Sequence, residues 1–371
     1  MRRALKSERE ACAARIVSQG DVRWFQGGTE SCGPGRFGVV GVALLRCPPV
    51  RIALFLPHVG VFGGVRRFLE LGNAWSRQGH EVTLYHPDGT PPAWLPFLGA
   101  TARLESAAGA RSDLAIGGDP HTLDALLAHP SARRVYYCVI EGDPGAPRAA
   151  AAGAILAANS GPLRRALARV TARAVLDGAG GINTGQFRPD PARRAHAPLR
   201  VLLNGRRSRR KKGTDLVLAA LRGLGHRVPA FEVVLFDAMD AHNRQDPRDG
   251  APLPPNARFV LNPSQEELVA LYQSSHVFVA AERKAGWCNT ALEAMACGCA
   301  VVCTRSGTRD FARHGQNALV TLRHPFFIGR AIRRLLVDAE LRARLAAAGP
   351  ASAEPWRWER LAEKLLAQLA G

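Results

Sequence analysis

From residue 50 the chain alternates short apolar runs with longer stretches in which apolar positions recur every three or four residues. "VRIALFLP" (50–57) is an apolar run of strand length, followed by a glycine loop, a helical stretch ended by Gly79, and a second strand at "EVTLYH" (81–86). Further strands are predicted at "SDLAIGG" (112–118), "RVYYCVI" (134–140) and "GAILAANS" (153–160), and a helix over "GPLRRALARVTAR" (161–173). Apolar runs alternating with helices are the pattern of a parallel sheet covered by helices.

A Pro- and Arg-rich connector follows at 174–198, and the rhythm restarts at "LRVLLNGR" (199–206). It continues through "FEVVLFD" (231–237), "ARFVLN" (257–262), "QEELVALYQSSHVFVAA" (265–281), "AGWCNTALEAMACG" (285–298) and "CAVVCT" (299–304), and the chain closes on an amphipathic helix, "WERLAEKLLAQLAG". The restart predicts two doubly wound α/β domains, over 50–190 and 198–350, facing a cleft where ligands bind beyond the carboxyl ends of the strands. Residues 1–49 are turn-rich and unpatterned; they are assigned as an N-terminal extension of uncertain order, compatible with a start codon placed too far upstream.

Composition narrows the function class. The net charge of +19 invites anionic partners, yet only five of the 50 basic residues are lysines and alanine is abundant, the signature of GC-rich codons. Aromatics are only 6%, too few for the stacking platforms of a nucleic-acid binder, and no nucleic-acid partner is expected. The eight cysteines form no C-x-x-C pair; Cys297, Cys299 and Cys303 read as small buried hydrophobes, and reduced thiols point to a cytoplasmic protein. No apolar stretch reaches spanning length.

Three segments carry candidate chemistry. "GVFGGV" (60–65) places glycines between strand and helix, where the backbone can approach a ligand and aim helix amides at an anion; a ligand-free tight turn fits equally well. "NGRRSRRKKG" (204–213) packs six cations into a loop at the carboxyl end of a strand, suited to clamping a diphosphate. In "AGWCNTALEAMACG", Thr290 and Glu293 have the spacing of a capping box, and the amides of Cys288, Asn289 and Thr290 are expected to point out of the helix N-terminus. Arg165, Arg169 and Arg173 recur at helical spacing beside Leu163, Leu167 and Val170, a solvated face or a stripe for anionic lipid at the periphery of a membrane.

Taken together, "GVFGGV", "GHEV", "GINTGQFRP", "NGR...KKG", "LNPSQEELVALYQSSHVFV", "GWCNTALEAMACGCAVVCT" and "SGTRDFARHGQNALV" resemble, in this order from residue 50 onward, the retaining GT-B glycosyltransferases of group 1, the large bacterial family four. The resemblance implies a GT-B enzyme that moves a sugar from a nucleotide-diphosphate donor to a saccharide or lipid-linked acceptor, with no cofactor and no metal. It also implies that the C-terminal helix (354–371) completes the first domain. Arg206 and Lys212 match the pair that neutralises the departing diphosphate. Glu293 matches the ribose-binding glutamate, and Gly63 and Gly64 the loop on the donor phosphate. Val260 and Asn262 match the wall framing the base, and Trp287, Cys288, Asn289 and Thr290 the donor-side loop.

Two positions depart from the family. The glutamate eight residues before Glu293 is here Ala285, with Glu282 three residues further upstream as a substitute, and the histidine after the strand at 134–140 is replaced by "EGDP", with Glu141 and Asp143. Those departures motivate a rival, a non-catalytic nucleotide-sugar binder, and the net charge motivates a second, a nucleic-acid binder. His58 and His121 read as structural or solvent-facing. Arg206→Ala and Lys212→Ala are expected to weaken diphosphate binding with little change in fold.

Overall fold

The computed structural model describes residues 48–370 apart from 195–197, 208, 225–227, 240–243 and 251. All but the last two residues of the 1–49 extension lie outside them. The first lobe contains β1 (Arg51–Phe55), α1 (Gly63–Arg77), β2 (Glu81–His86), β3 (Ala100–Arg103), β4 (Ser112–Gly117), α2 (Leu123–Ala128), β5 (Ser131–Cys138), α3 (Gly145–Ala151), β6 (Ile155–Ala158), α4 (Gly161–Leu167) and β7 (Leu176–Asp177). Its strands form one sheet in the order β3-β2-β1-β4-β5-β6-β7, with every neighbour parallel.

A short helix, α5 (Pro191–Arg194), leads into the second lobe: β8 (Leu199–Asn204), α6 (Thr214–Arg222), β9 (Phe231–Asp237), β10 (Ala257–Leu261), α7 (Gln265–Gln273), β11 (Val277–Ala280), α8 (Asn289–Ala296), β12 (Ala300–Cys303), β13 (Ala318–Val320), α9 (Pro325–Val337), α10 (Ala339–Ala353) and α11 (Trp358–Ala370). This sheet runs β10-β9-β8-β11-β12-β13, again parallel. Both sheets step outward in two directions from their first strand, so each has a switch point at the carboxyl ends of its central strands.

Every residue of β11 (VFVA) and β12 (AVVC) is buried, which is why these runs are apolar without alternation. Alternate residues of β8 feed opposite faces: Val201 and Leu203 pack in one cluster and Leu202 in the other. Cys138, Cys288, Cys297, Cys299 and Cys303 are all free and buried.

The tail helix crosses back to the first lobe. Trp358, Leu361, Leu365 and Leu369 of α11 share a core with Ile52, Leu54 and Trp75, and the indole of Trp75 donates to the Ala362 carbonyl at 3.1 Å. One predicted feature is corrected. Helix α4 ends at Leu167, and Arg173 folds back to donate to the Gly153 carbonyl at 2.7 Å, so Arg165, Arg169 and Arg173 form no helical stripe. Only seven residues separate the Ser160 cap from that end, and Val170, the next apolar position, is left exposed.

Candidate active site between the lobes

The cation loop leaves the carboxyl end of β8. Arg206 donates from Nε and Nη2 to the two carboxylate oxygens of Asp237, at the end of β9, at 2.7 Å each, and from Nη2 to the Ala238 carbonyl at 2.9 Å. The two residues are 7% and 6% exposed. The guanidinium also lies 5.9 Å from the ring centroid of Phe62, and Arg209 lies 5.7 Å from the same ring. Phe62 immediately precedes α1, so the first lobe reaches the cation loop here.

Lys212 closes the loop and pairs with Glu282 at 2.7 Å. Burial works against its ammonium, but the adjacent Glu282 carboxylate overrides that and holds the amine above the ordinary lysine value. The pair borders a small cavity together with Asn204, Thr214 and Thr290. Gly213 sets this geometry: its φ is +75°, and a Cβ there would stand 2.3 Å from the Ala281 carbonyl oxygen. Glu282 therefore reaches the site by a direct ion pair.

Helix α8 begins beside that pair, and its start differs from expectation. Its N-cap is Cys288, with no side-chain cap, so Glu293 is the fifth helical residue and beyond capping reach. The predicted Thr290–Glu293 capping box is absent; the chain builds one instead at α7, where Ser264 and Glu267 exchange both bonds. Of the three amides expected to point outward, that of Cys288 is already donated to the Gly307 carbonyl at 2.8 Å. Its buried thiol is pushed well above the ordinary cysteine value.

Glu293 is 5% exposed and both its oxygens are engaged. Oε1 accepts from Arg66 Nη1 at 3.2 Å, and Oε2 accepts from the Tyr272 hydroxyl at 2.9 Å. Arg66, on α1, also donates to Gln265 and lies over the rings of Trp94 and Phe187 at 5.5 and 5.9 Å. Charge pairing across the lobes, in a buried setting, thus replaces the local cap.

Several other contacts seal the lobes. Ile140, after β5, forms an antiparallel bridge with Ala285. Gly286 must be glycine because a Cβ would stand 2.4 Å from both the Val139 carbonyl oxygen and Asn159 Oδ1. The Asn289 side chain reaches the Gly63 carbonyl from Nδ2 at 3.5 Å, and the Gly161 backbone amide donates to Asp310 Oδ2 at 3.0 Å. The N-termini of α1 and α8 therefore face each other across the seam, and the first-turn amides of each have no partner inside their own helix. Gly63 and Gly64 open α1, and a Cβ on Gly64 would stand 3.7 Å from the Val139 side chain.

The remaining candidates divide. Asn262 sits in the left-handed region (φ 51°), donates its amide to the Asp237 carbonyl at 2.9 Å and accepts from the Met239 amide at 2.6 Å, one link from Arg206. Val260 packs against the core cluster that holds Leu268 and Leu271. The Trp287 ring is turned into the core against Phe311, Trp356 and Arg67, at 5.1, 5.2 and 5.9 Å, so only its backbone faces the loop.

Asp143 is buried and held locally: it accepts from the Tyr136 hydroxyl at 2.9 Å and the Gly145 amide at 2.8 Å, and burial raises its carboxyl pKa. Glu141 is exposed. His58 accepts from the Gly60 amide and His121 pairs with Asp119, both local contacts. Asp237, Arg66, Tyr272 and Phe62 were missed by sequence reasoning. For Arg66 the signal was the charge in "VRRFLELGNAW", where Arg66, Arg67, Glu70 and Asn73 are all buried.

Residues 191–352 match the family described as Glycosyl transferases group 1. A D-inositol 3-phosphate glycosyltransferase of Corynebacterium jeikeium is 32% identical over 110 residues, which is 29% of this chain and 26% of that protein; the match thus spans about a quarter of the relative's length. Two solved structures share the fold across 86% of this chain. One is Anabaena Alr3699/HepE in complex with UDP-glucose (TM-score 0.68, 13% identity, 99% of that chain), and the other is sucrose-phosphate synthase from Thermosynechococcus elongatus (TM-score 0.68, 18% identity, 98% of that chain). The two parallel sheets have the GT-B fold of these structures, and residues 191–352 are similar to the group 1 glycosyl transferases.

Proposed function

We propose that the protein is a cytoplasmic, retaining glycosyltransferase that takes a sugar from a nucleoside-diphosphate donor and passes it to a saccharide or lipid-linked acceptor. The observation that carries this reading is the convergence at one seam of the Lys212–Glu282 pair, the N-terminus of α8 and, from the opposite lobe, the Gly63–Gly64 start of α1. The solved complex of the Anabaena protein with UDP-glucose gives a precedent for a donor in a cleft of this fold.

Breaking an anomeric carbon–diphosphate bond builds cationic character on the sugar and negative charge on the leaving group. Lys212 and the amides at the two helix starts supply fixed positive charge for the diphosphate, so this reading routes no step through a metal. Glu282, held beside Lys212, lies where a carboxylate can grip donor hydroxyls, the task left open by Ala285. Arg206 acts by fixing the loop through Asp237, and Glu293 exchanges part of its Arg66 bond for the ribose hydroxyls. Asn262 and Val260 frame the base.

A second reading, a nucleotide-sugar binder without turnover, is favoured by the Ile140–Ala285 bridge, which puts a methyl group and an interlobe ladder where related enzymes carry a glutamate. The two separate in one assay. With UDP-, GDP- and ADP-sugars and short saccharide acceptors, the enzyme reading predicts release of nucleoside diphosphate and a product whose anomeric configuration, read by NMR, equals that of the donor. Binding without release across the panel would favour the binder, and an inverted product would refute retention.

A further inference from the structure

Helix α9 buries Ile328, Ile332, Leu335 and Leu336, yet it begins with two phenylalanines that turn the other way. Phe326 is 64% exposed and Phe327 41%, their rings 5.3 Å apart and edge-to-face, and Leu322 just before them is 66% exposed. Three large apolar side chains exposed within six residues at one helix start are unusual on a free surface.

Their neighbours are all of one sign. Arg330 and Arg333 follow Phe326 at i+4 and i+7, and Arg334 follows Phe327 at i+7, so the same outer face continues as a basic stripe. No ion pair is recorded for any of the three among the described residues. Arg323 ties this segment to the cation loop, donating to the Ala281 and Arg210 carbonyls at 2.8 and 2.7 Å, and the Arg283 amide donates to the Lys211 carbonyl at 2.8 Å. The exposed side chains of Arg210, Lys211 and Arg283 thereby extend the basic field, while Asp338 and Glu340 bound it at the far end of α9.

We propose that this face of the second lobe docks on an anionic lipid bilayer, with Leu322, Phe326 and Phe327 entering the headgroup boundary and Arg330, Arg333 and Arg334 pairing with lipid phosphates. A bilayer satisfies both halves of the pattern at once, an apolar interior for protruding rings and a negative surface for unpaired arginines. No helix among the described residues is long and apolar enough to cross a membrane. Docking here brings the cation loop, and with it the rim of the cleft, next to the lipid surface.

The test is co-sedimentation of the full chain with vesicles of phosphatidylcholine alone or mixed with phosphatidylglycerol. Binding is expected to the mixed vesicles only and to weaken as salt is added. Phe326→Ser with Phe327→Ser, and separately Arg330→Glu with Arg333→Glu and Arg334→Glu, should each lower the partition coefficient by about tenfold or more. Thermal midpoint and nucleotide binding should not change. No binding to anionic vesicles, or variants that bind like the wild type, would overturn the proposal. So would a concentration-dependent dimer abolished by the phenylalanine pair without vesicle binding, which would assign the face to a second copy of the chain. Vesicle binding does not depend on the donor site, so the function proposed above stands or falls separately.

Discussion

Arg206→Ala is expected to lower the unfolding free energy by about 3–5 kcal/mol, because it strands a buried carboxylate at the end of β9. Asp237 is 6% exposed, and its two oxygens accept from one guanidinium in a bidentate arrangement. Removing the cation leaves that charge without water and with only the Ala238 amide, 2.8 Å from Oδ1, as a partner, and the loss exceeds what a surface ion pair contributes. Denaturant unfolding measures it, and Arg206→Ala with Asp237→Ala should recover part of the loss, since the double change removes both charges. A single variant as stable as the wild type would mean that the pair is open to solvent. This replaces the sequence-based expectation that the fold would hardly notice: Arg206 organises the loop as well as any phosphate it meets.

The second large effect concerns Arg66 and Glu293, which join the lobes at 3.2 Å with side chains only 10% and 7% exposed. Arg66→Met leaves Glu293 buried beside Tyr272, and Glu293→Gln leaves Arg66 buried over the rings of Trp94 and Phe187. Each single change should cost about 3 kcal/mol, and the double change clearly less than the sum, giving a coupling energy of about 1–3 kcal/mol. Additive effects would show that the pair does not exist in solution. A ribose role for Glu293 adds an asymmetric readout: nucleoside-diphosphate affinity falls in Glu293→Gln and is retained in Arg66→Met. An equal fall in both would reduce the glutamate to an interlobe tie.

Periodicity was enough to read the longer strands of both sheets and the tail helix, because apolar runs buried on both faces leave an unambiguous trace; the short strands β3, β7 and β13, of four, two and three residues, carried too little pattern to be read. Candidate loops were legible as well, since residue types that favour turns and anions cluster there. Pairing was not legible. Asp237 lies 31 residues from Arg206 and Arg66 lies 227 residues from Glu293, so nothing local shows that the charges meet. The capping box at Thr290 failed for the same reason: the spacing was right, but the helix starts at Asn289, and a distant arginine offers the carboxylate a better partner than a backbone amide. Glu282 went the other way, since only the turn of the loop after β11 reveals that it meets Lys212.

The account rests on a diphosphate held between Lys212 and the start of α8. Calorimetric titration of the wild type and of Lys212→Met with UDP, GDP and ADP tests this most directly. The account predicts that at least one nucleoside diphosphate binds the wild type and that its affinity falls at least about tenfold in Lys212→Met, as loss of a charged hydrogen bond requires, with the circular dichroism spectrum unchanged. Equal affinity in the two proteins, or no binding of any of the three, would contradict it.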